Sequence, residues 1–192
     1  ALIGEVKNAR SERDKLTQIV LRESDRLNRT IGDFLAYARP TPIAPRRIDL
    51  AAVMEEVLVL LEHRPLPASI KVVRAFAAPL WAEVDPNALR QAIWNLCLNA
   101  VEAMPAGGEI TVGAAEAGPA LDVWVADTGP GIGAADLGHI FEPFFSTKPA
   151  GSGLGLALVH RIVCDHGGDV DVRTHVGVGT TFTLTLPRAA HG

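Results

Sequence analysis

Three prolines, Pro40, Pro42 and Pro45, fall within the nine residues from Arg39 to Arg47. Proline fixes φ and lacks an amide proton, so neither a helix nor a central strand runs through such a segment. We therefore expect a helix domain over residues 1–39, a linker over 40–48, a second domain over 49–188 and a tail over 189–192. A chain of 192 residues with 48% hydrophobic content can form one buried core plus an appendage.

The segment from Ser11 to Ala38 has apolar residues at three- and four-residue spacing and charged residues on the other faces. This pattern predicts a long amphipathic helix that begins near Ser11, where Asp14 completes a motif similar to a capping box, and ends near Arg39. A lone helix must cover its apolar stripe. The residues leave open whether a partner helix, as in a dimer, or the helix's own domain covers it.

The second part of the chain alternates between helical and strand-like patterns. Helices are predicted over 50–63, 87–104 and 154–166, strands over 70–76, 80–84, 109–115, 121–126, 169–174 and 180–186, and a glycine-rich loop over 127–155. Asp85 and Pro86 supply the expected N-cap and first position of the second of these helices. The order predicts the α+β class: a two-layer α/β sandwich with helices on one face, preceded by the long helix.

Composition argues against several classes of partner. The net charge of −4 gives no basic field for nucleic acid. No apolar run reaches the roughly 18 residues of a membrane span and no secretory signal pattern is present, so we expect a cytoplasmic piece without membrane contact. Cys97 and Cys164 lie in apolar helical stretches, and we expect two buried thiols rather than a metal or redox pair.

The predicted helix over 87–104 carries two asparagines, Asn95 and Asn99, four residues apart and hence on one face. Their side-chain oxygens can ligate a hard cation or meet phosphate groups, and Mg²⁺ bound to a nucleotide needs only one or two protein oxygens. The alternative is a pair of solvated amides on an exposed helix face.

The sequence Asp127-Thr-Gly129-Pro-Gly131-Ile-Gly133 follows directly on an apolar strand. An aspartate at a buried strand end can accept a hydrogen bond from an exocyclic amine such as that of adenine, and the glycines let the backbone approach a flat ligand. The alternative is a glycine-rich turn in which Asp127 is an ordinary cap.

The sequence Lys148-Pro-Ala-Gly151-Ser-Gly153-Leu-Gly155 opens straight into a predicted helix. Backbone amides at such a helix start form an anion site, and Lys148 can neutralise a phosphate, although the spacing is not that of a Walker loop. The alternative is a hinge without a ligand. Upstream, Phe141, Phe144 and Phe145 must bury against something, either as a lid over a ligand or as a cluster that pins the loop.

In this order and spacing, the segments resemble the asparagine box, first glycine box, phenylalanine box, second glycine box and final glycine box, Gly177 to Phe182, of two-component sensor histidine kinases. The resemblance covers about Asp49 to Pro187. It implies the Bergerat ATP-binding fold shared with gyrase-type ATPases, with Mg²⁺ and ATP or ADP as cofactors. The ending of the N-terminal helix, Asp33 to Pro40, resembles that of nitrogen-regulatory and pilus-regulatory kinases, in which this helix belongs to the dimerisation domain.

The resemblance also implies a role for each motif. Asn99 would hold Mg²⁺, Asn95 would contact the phosphates and Asp127 would bind the adenine amino group. The remaining residues implied at the nucleotide are Gly129, Gly131 and Gly133 at the base, Lys148, Gly151, Ser152, Gly153, Leu154 and Gly155 at the phosphates, and Thr180 or Thr181 at the adenine end. Asn95 and Lys148 would be the catalytic pair.

The phosphoacceptor histidine of the family lies on the first dimerisation helix, and residues 1–48 contain no histidine. The six histidines, at 63, 139, 160, 166, 175 and 191, are expected to be ordinary structural or surface residues. The resemblance implies as partners a receiver domain of a response regulator and the histidine-bearing helices, in a homodimer of the parent. One alternative is an ATPase or clamp of the same superfamily, which would carry a glutamate as general base at the position of Asn95. The other is a nucleotide-binding module without catalysis.

Overall fold

The computed structural model describes residues 42–64, 66–67, 69–77, 79–148 and 151–189. In the N-terminal part it describes residues 13, 16–17, 20–21, 23–24, 27–28, 30–32, 34–35 and 38. The chain divides into two compact units, Ala1–Pro40 and Thr41–Gly192.

All described residues of the N-terminal unit are helical, in agreement with the predicted helix. The predicted cap at Ser11 and the predicted end at Arg39 lie outside the described residues. The large apolar side chains of this helix are exposed, with 61% of Leu16, 62% of Val20, 61% of Leu27 and 54% of Ile31 accessible. This exposed apolar stripe has the pattern of a helix that packs against other helices.

The second unit contains a five-stranded sheet and a layer of helices. Its elements are, in order, β1 (Arg46–Asp49), α1 (Leu50–Glu62), β2 (Ile70–Ala75), β3 (Trp81–Val84), α2 (Pro86–Ala103), β4 (Gly108–Ala117), β5 (Ala120–Asp127), α3 (Ala134–Leu137), α4 (Gly155–Asp165), β6 (Asp169–His175) and β7 (Gly179–Pro187). The sheet order is β2-β4-β5-β7-β6, with β2 parallel to β4 and the other pairs antiparallel. The predicted two-layer α/β sandwich is confirmed.

Alternation along the strands decides which face of the sheet is buried. On β5, the buried residues Leu121, Val123 and Val125 alternate with partly exposed ones, and β7 follows the same pattern. Helices α2 and α4 pack on β4 and β5 and on β6 and β7, respectively, while α1 packs on α2. The helix layer therefore covers one face and leaves the other partly open.

Helix α2 begins as the sequence predicted. The carboxylate of Asp85 accepts hydrogen bonds from the amides of Asn87 at 2.8 Å and Ala88 at 3.2 Å, and Pro86 occupies the first turn. Burial alone would raise the pKa of Asp85, but these amides and that of Ala44 outweigh it and lower the pKa. Asp85 thus ties the segment before β1 to the start of α2.

Two short elements were missed by the sequence analysis. Strand β1 begins at Arg46, inside the segment predicted as a linker, and pairs antiparallel with β3. Only four residues long and rich in charge, it has too little alternation to register as a strand. Helix α3 is a single turn within the long loop, too short to show a helical period.

The prediction of two buried thiols is wrong for Cys164. Cys97 is buried, and burial raises the pKa of its thiol to about 12. Cys164 is exposed on α4, with its sulfur 3.8 Å from both ring nitrogens of His160. It lies on the outer face of this amphipathic helix, directly after the buried residues Ile162 and Val163, which made its position look apolar in the sequence.

Candidate functional site

The asparagines lie on the C-terminal half of α2, where the helix passes under the glycine-rich loops. Asn95 is only 8% exposed, and its amide nitrogen lies 3.4 Å from the carbonyl oxygen of Gly155. The alternative interpretation, a solvated amide on an exposed helix face, is therefore wrong for Asn95. The contact with Gly155 links α2 to the first residue of α4. Asn99 lies one turn further on and is partly exposed.

Lys148 lies against the end of α2. Its ammonium nitrogen is 3.0 Å from Oε2 of Glu102, 3.4 Å from the backbone oxygen of Asn99 and 3.5 Å from Oδ1 of Asn99. The second glycine-rich segment and the asparagine helix, which are 49 residues apart at these positions, thus meet at one point. Glu102 lies three residues after Asn99, and the sequence analysis assigned no role to it.

Asp127 ends β5 at the rim of the same region. Its Oδ1 accepts a hydrogen bond of 2.8 Å from the amide of Gly129. Burial raises the pKa of Asp127, against the lowering effects of the Gly129 and Thr180 amides and of the positive charge of Lys148. A partly desolvated carboxylate at this place is a strong hydrogen-bond acceptor for a ligand amine.

The first glycine-rich loop is fixed to the β6–β7 hairpin. The amide of Ile132 donates to Oγ1 of Thr174 at 2.8 Å, and the amide of Gly177 donates to the carbonyl oxygen of Pro130 at 2.8 Å. Gly131 has φ +73°, and a Cβ atom there would lie 2.4 Å from the carbonyl oxygen of His175. A side chain at Gly131 would therefore push the loop away from the hairpin.

The two threonines proposed at the adenine end lie on opposite faces of β7. Thr180 is 5% exposed, pairs with Asp127 across the β5–β7 ladder and has its hydroxyl 3.1 Å from that of Thr174. Thr181 is the next residue along the strand and therefore points to the other face of the sheet. The structure brings Thr180 to the site and not Thr181. Thr174 was missed, although the predicted hairpin placed it opposite Thr180.

Residues 134–154 run from the end of the first glycine-rich motif into the second. We call them the lid segment, after one of the two interpretations of their aromatic residues. Phe141 stacks near His160 of α4, with ring centroids 5.2 Å apart, and Phe145 lies 5.7 Å from His139. Phe144 is 65% exposed and has φ +68°, which is unusual for a bulky residue. The expectation that all three aromatics are buried is wrong, because Phe141 and Phe145 are partly exposed and Phe144 is exposed. The amide of Phe144 donates to the carbonyl oxygen of Gly153 at 2.9 Å.

The second glycine box ends at the start of α4. Gly153 has φ +67°, and a Cβ atom there would lie 2.4 Å from the carbonyl carbon of Phe144, so the turn requires glycine. Leu154 is the N-cap and supplies no side-chain hydrogen bond to the helix start. Ser152 Oγ accepts from the amide of Leu154 at 3.3 Å, and the amide of Gly151 donates to the carbonyl oxygen of Lys148 at 3.1 Å. The positive end of α4 thus lies beside Asn95.

The donor set fits a magnesium nucleotide. Asn99 offers a neutral amide oxygen, Lys148 a positive charge, the start of α4 amide donors, and Asp127 an acceptor for an amine. Among the described residues, no group of three or more histidine, cysteine, aspartate or glutamate side chains is placed to hold a metal ion.

Residues 84–190 match the family described as histidine kinase-, DNA gyrase B- and HSP90-like ATPases. The chain belongs to this family. The match begins at the residue before the Asp85 cap and spans the whole site from Asn95 to Thr180. The chain therefore contains the ATP-binding catalytic core typical of these ATPases, as the sequence motifs predicted.

The chain is also similar to named sensor kinases. The chain is 40% identical over 181 residues to the sensor histidine kinase ZraS of Escherichia coli K12, covering 93% of this chain and 39% of the relative. It therefore spans about two fifths of the length of this relative. The family match and the similarity to sensor kinases both agree with the order of the sequence motifs.

Solved structures of histidine kinases share the fold. The full-length kinase ShkA in complex with AMPPNP superimposes with a TM-score of 0.75 at 31% identity, over 90% of this chain and 38% of that one. The kinase ThkA in complex with the response regulator TrrA gives a TM-score of 0.76 at 26% identity, over 89% of this chain and 50% of that one. Within the described part of the chain, no helix is long and apolar enough to cross a membrane.

Proposed function

We propose that this chain binds magnesium ATP at the described site and, within its parent protein, donates the γ-phosphate to a histidine on a dimerisation domain. The proposal is carried by three contacts that join separate segments. Lys148 contacts Asn99 near the end of α2, and Asn95 contacts the first residue of α4. The charge of Lys148 also acts on the carboxylate of Asp127. A candidate metal ligand, Asn99, a positive charge for the phosphates, Lys148, and an acceptor for the adenine base, Asp127, thus come from separate segments of the chain.

Each residue has a distinct part in this proposal. The carboxylate of Asp127 accepts from the adenine amino group, with Thr180 beside it, while Gly129, Gly131 and Gly133 keep side chains away from the base. Lys148 and the amides of Gly151 to Gly155 bind and orient the phosphates, and Asn95 contacts them from below. Asn99 would hold Mg²⁺, which supplies charge neutralisation for the transferring group.

The acceptor and later steps belong to the parent protein. The exposed apolar stripe of the N-terminal helix supports packing against other dimerisation helices, as in a homodimer. The ThkA complex with its response regulator supports transfer onward to a receiver-domain aspartate. The chain itself has no histidine in residues 1–48, so we expect it to bind nucleotide without phosphorylating itself.

A simple ATPase is the competing function within this family. Water activation needs a general base, and the buried side chain one turn before Asn99 is the amide of Asn95, which cannot take a proton at neutral pH. We therefore expect negligible phosphate release from ATP by the chain alone.

The test combines binding, transfer and hydrolysis. Calorimetry should show ADP binding in the presence of Mg²⁺. With ATP, the chain should also form acid-labile phosphohistidine on the separately purified, histidine-bearing dimerisation domain of its own parent protein. Rapid phosphate release by the chain alone would favour the ATPase. Nucleotide binding without transfer to any supplied histidine domain would favour a regulatory module.

A further inference from the structure

The ammonium of Lys148 lies among three oxygen atoms at the end of α2. Glu102 Oε2 is the nearest at 3.0 Å, and the backbone and side-chain oxygens of Asn99 follow at 3.4 and 3.5 Å. Helix α2 ends at Ala103, so these oxygens lie in its last turns, where the helix dipole also favours a positive charge. The cluster is therefore suited to hold a cation.

Two cations compete for Asn99. The proposed function gives its side-chain oxygen to Mg²⁺ and gives Lys148 to the phosphates, whereas the structure places Lys148 on that same oxygen. The competition comes from charge: an ammonium group 3.5 Å from Oδ1 and a metal ligated by Oδ1 would lie within a few ångströms of each other and would repel. Lysine on Asn99 and metal on Asn99 are thus alternative states of the site.

Glu102 is the residue that favours the lysine state. Its carboxylate is the closest partner of Lys148, and the pair is only partly exposed, at 35% for the lysine side chain and 43% for the glutamate. We propose that Glu102 is a positioning residue that holds Lys148 on Asn99 and thereby makes nucleotide binding at this site depend on magnesium. The inference rests on the proposed function, because it assumes that phosphates and Mg²⁺ bind here.

The dependence follows from charge. When a nucleotide arrives without metal, Lys148 must leave Glu102 to meet the phosphates, and the Glu102 carboxylate is left near their negative charge. When Mg²⁺ arrives with the nucleotide, one cation replaces another near Glu102, so that positive charge remains beside the carboxylate after Lys148 moves to the phosphates. Glu102 therefore weakens metal-free binding more than metal-bound binding.

Calorimetry with ADP, in Mg²⁺ and in EDTA, tests this with the Glu102→Gln variant. Since a partly exposed pair contributes modestly, we expect the ratio of the two affinities to fall about three- to fivefold, chiefly because metal-free ADP binds more tightly. Glu56→Gln is the matched control: Glu56 pairs with Arg90 at 2.6 Å near the start of α2, and its loss should leave the ratio unchanged.

The outcomes separate the two proposals. If the unsubstituted chain binds ADP but Glu102→Gln has the same ratio of affinities in Mg²⁺ and in EDTA, the proposed role of Glu102 is wrong and the nucleotide site stands. If the parent chain binds no ADP in either condition, the proposed function fails as well.

A second readout does not need nucleotide. Chymotryptic cleavage after Phe144 and Phe145, followed by mass spectrometry in EDTA, should be about two- to fivefold faster in Glu102→Gln, because the lid segment loses its tie to α2. Lys148→Met should give an equal or larger increase, because it also removes the two contacts with Asn99. The double variant should be cleaved no faster than Lys148→Met, since both substitutions act on the contact between Glu102 and Lys148. Cleavage at the parent rate in folded Lys148→Met would overturn the inference even if Glu102→Gln failed to fold.

Discussion

At the scale of single residues, Asp127 shows how a binding group costs stability. Burial raises its pKa above the ordinary value of 3.8, although two amides and Lys148 oppose the shift. The folded state therefore prefers the protonated carboxyl, and the stability from this preference is lost as the pH rises through the raised pKa. At pH 7 the ionised carboxylate of Asp127 therefore lowers the stability of the folded state, and a bound amine that donates a hydrogen bond to it would offset this loss.

The Asp127→Asn variant should separate stability from binding. Asparagine keeps an oxygen for the Gly129 amide but carries no charge, so the variant should unfold at an equal or higher temperature than the parent at pH 7. Its advantage should shrink as the pH falls through the raised pKa of Asp127, because the carboxyl of the unsubstituted chain is then protonated and uncharged. ADP affinity should fall roughly ten- to a hundredfold, since a charge-assisted acceptor is lost. Unchanged affinity by calorimetry would contradict the adenine role.

The two cysteines should differ sharply in reactivity. Cys97 is buried with a pKa raised to about 12, so it has almost no thiolate at pH 8, while Cys164 is exposed beside His160. Native protein treated with iodoacetamide should be alkylated at Cys164 and not at Cys97, as read by peptide mass spectrometry. Denatured protein, in which both react, is the control. Equal labelling in the native state would show that α2 is less well packed than described.

At the scale of elements, strand β2 is one of the two edges of the sheet and forms its one parallel pair, with β4. Arg74 on β2 reaches Glu55 on α1 at 2.9 Å and Glu62 at 2.8 Å. The hydrogen bond from Arg74 is the main cause that lowers the pKa of Glu62, so this contribution is lost when the pH falls through that lowered pKa. One side chain thus fastens an edge strand to the helix layer.

Replacing Arg74 should therefore loosen this edge. Since both pairs are partly exposed, we expect Arg74→Met to lower stability by about 1 kcal/mol, or Tm by about 2–4 °C, in thermal unfolding followed by circular dichroism. The loss should be smaller in 1 M salt. Lys71→Met on the same strand is the control, because Lys71 is 71% exposed and its pair with Glu109 should contribute little. An equal loss in both variants would argue against a special role for Arg74.

At the scale of the whole molecule, the candidate site joins segments that are distant in sequence. Asn99 on α2, Asp127 at the end of β5, Lys148 in the lid segment and Thr180 on β7 come from four separate elements. A ligand that contacts all of them stabilises the folded unit as a whole rather than one loop.

Magnesium ADP should therefore raise the unfolding temperature of the unit Thr41–Gly192. At a hundred times the dissociation constant, binding adds about 2.7 kcal/mol, which corresponds to a rise of about 5–10 °C for a chain of this size. Calorimetric scans at several ADP concentrations measure the shift. The Asp127→Asn variant at the same concentrations should show a smaller one, and an identical shift in both would mean that ADP stabilises the chain through another site.

The sequence by itself determined the fold class and the ligand class, because both depend on local patterns. The alternation in β5 and the Asp85-Pro86 start of α2 are short-range signals. Ordered motifs around Asn95, Asp127 and Gly151 identify a family whose match extends over residues 84–190. Strand β1 and helix α3 were not predicted, because a segment of four residues is too short to show the periodicity of a strand or a helix.

Tertiary structure alone decided which side chains meet. The exposure of Cys164 and of Phe144, the choice of Thr180 over Thr181, and the contact of Lys148 with Glu102 all depend on which face of an element packs inward. Such contacts join residues tens of positions apart, and no local pattern records them, since sequence periodicity describes a segment and not its neighbour. Packing therefore fixed the geometry of a site whose chemistry the motifs had already predicted.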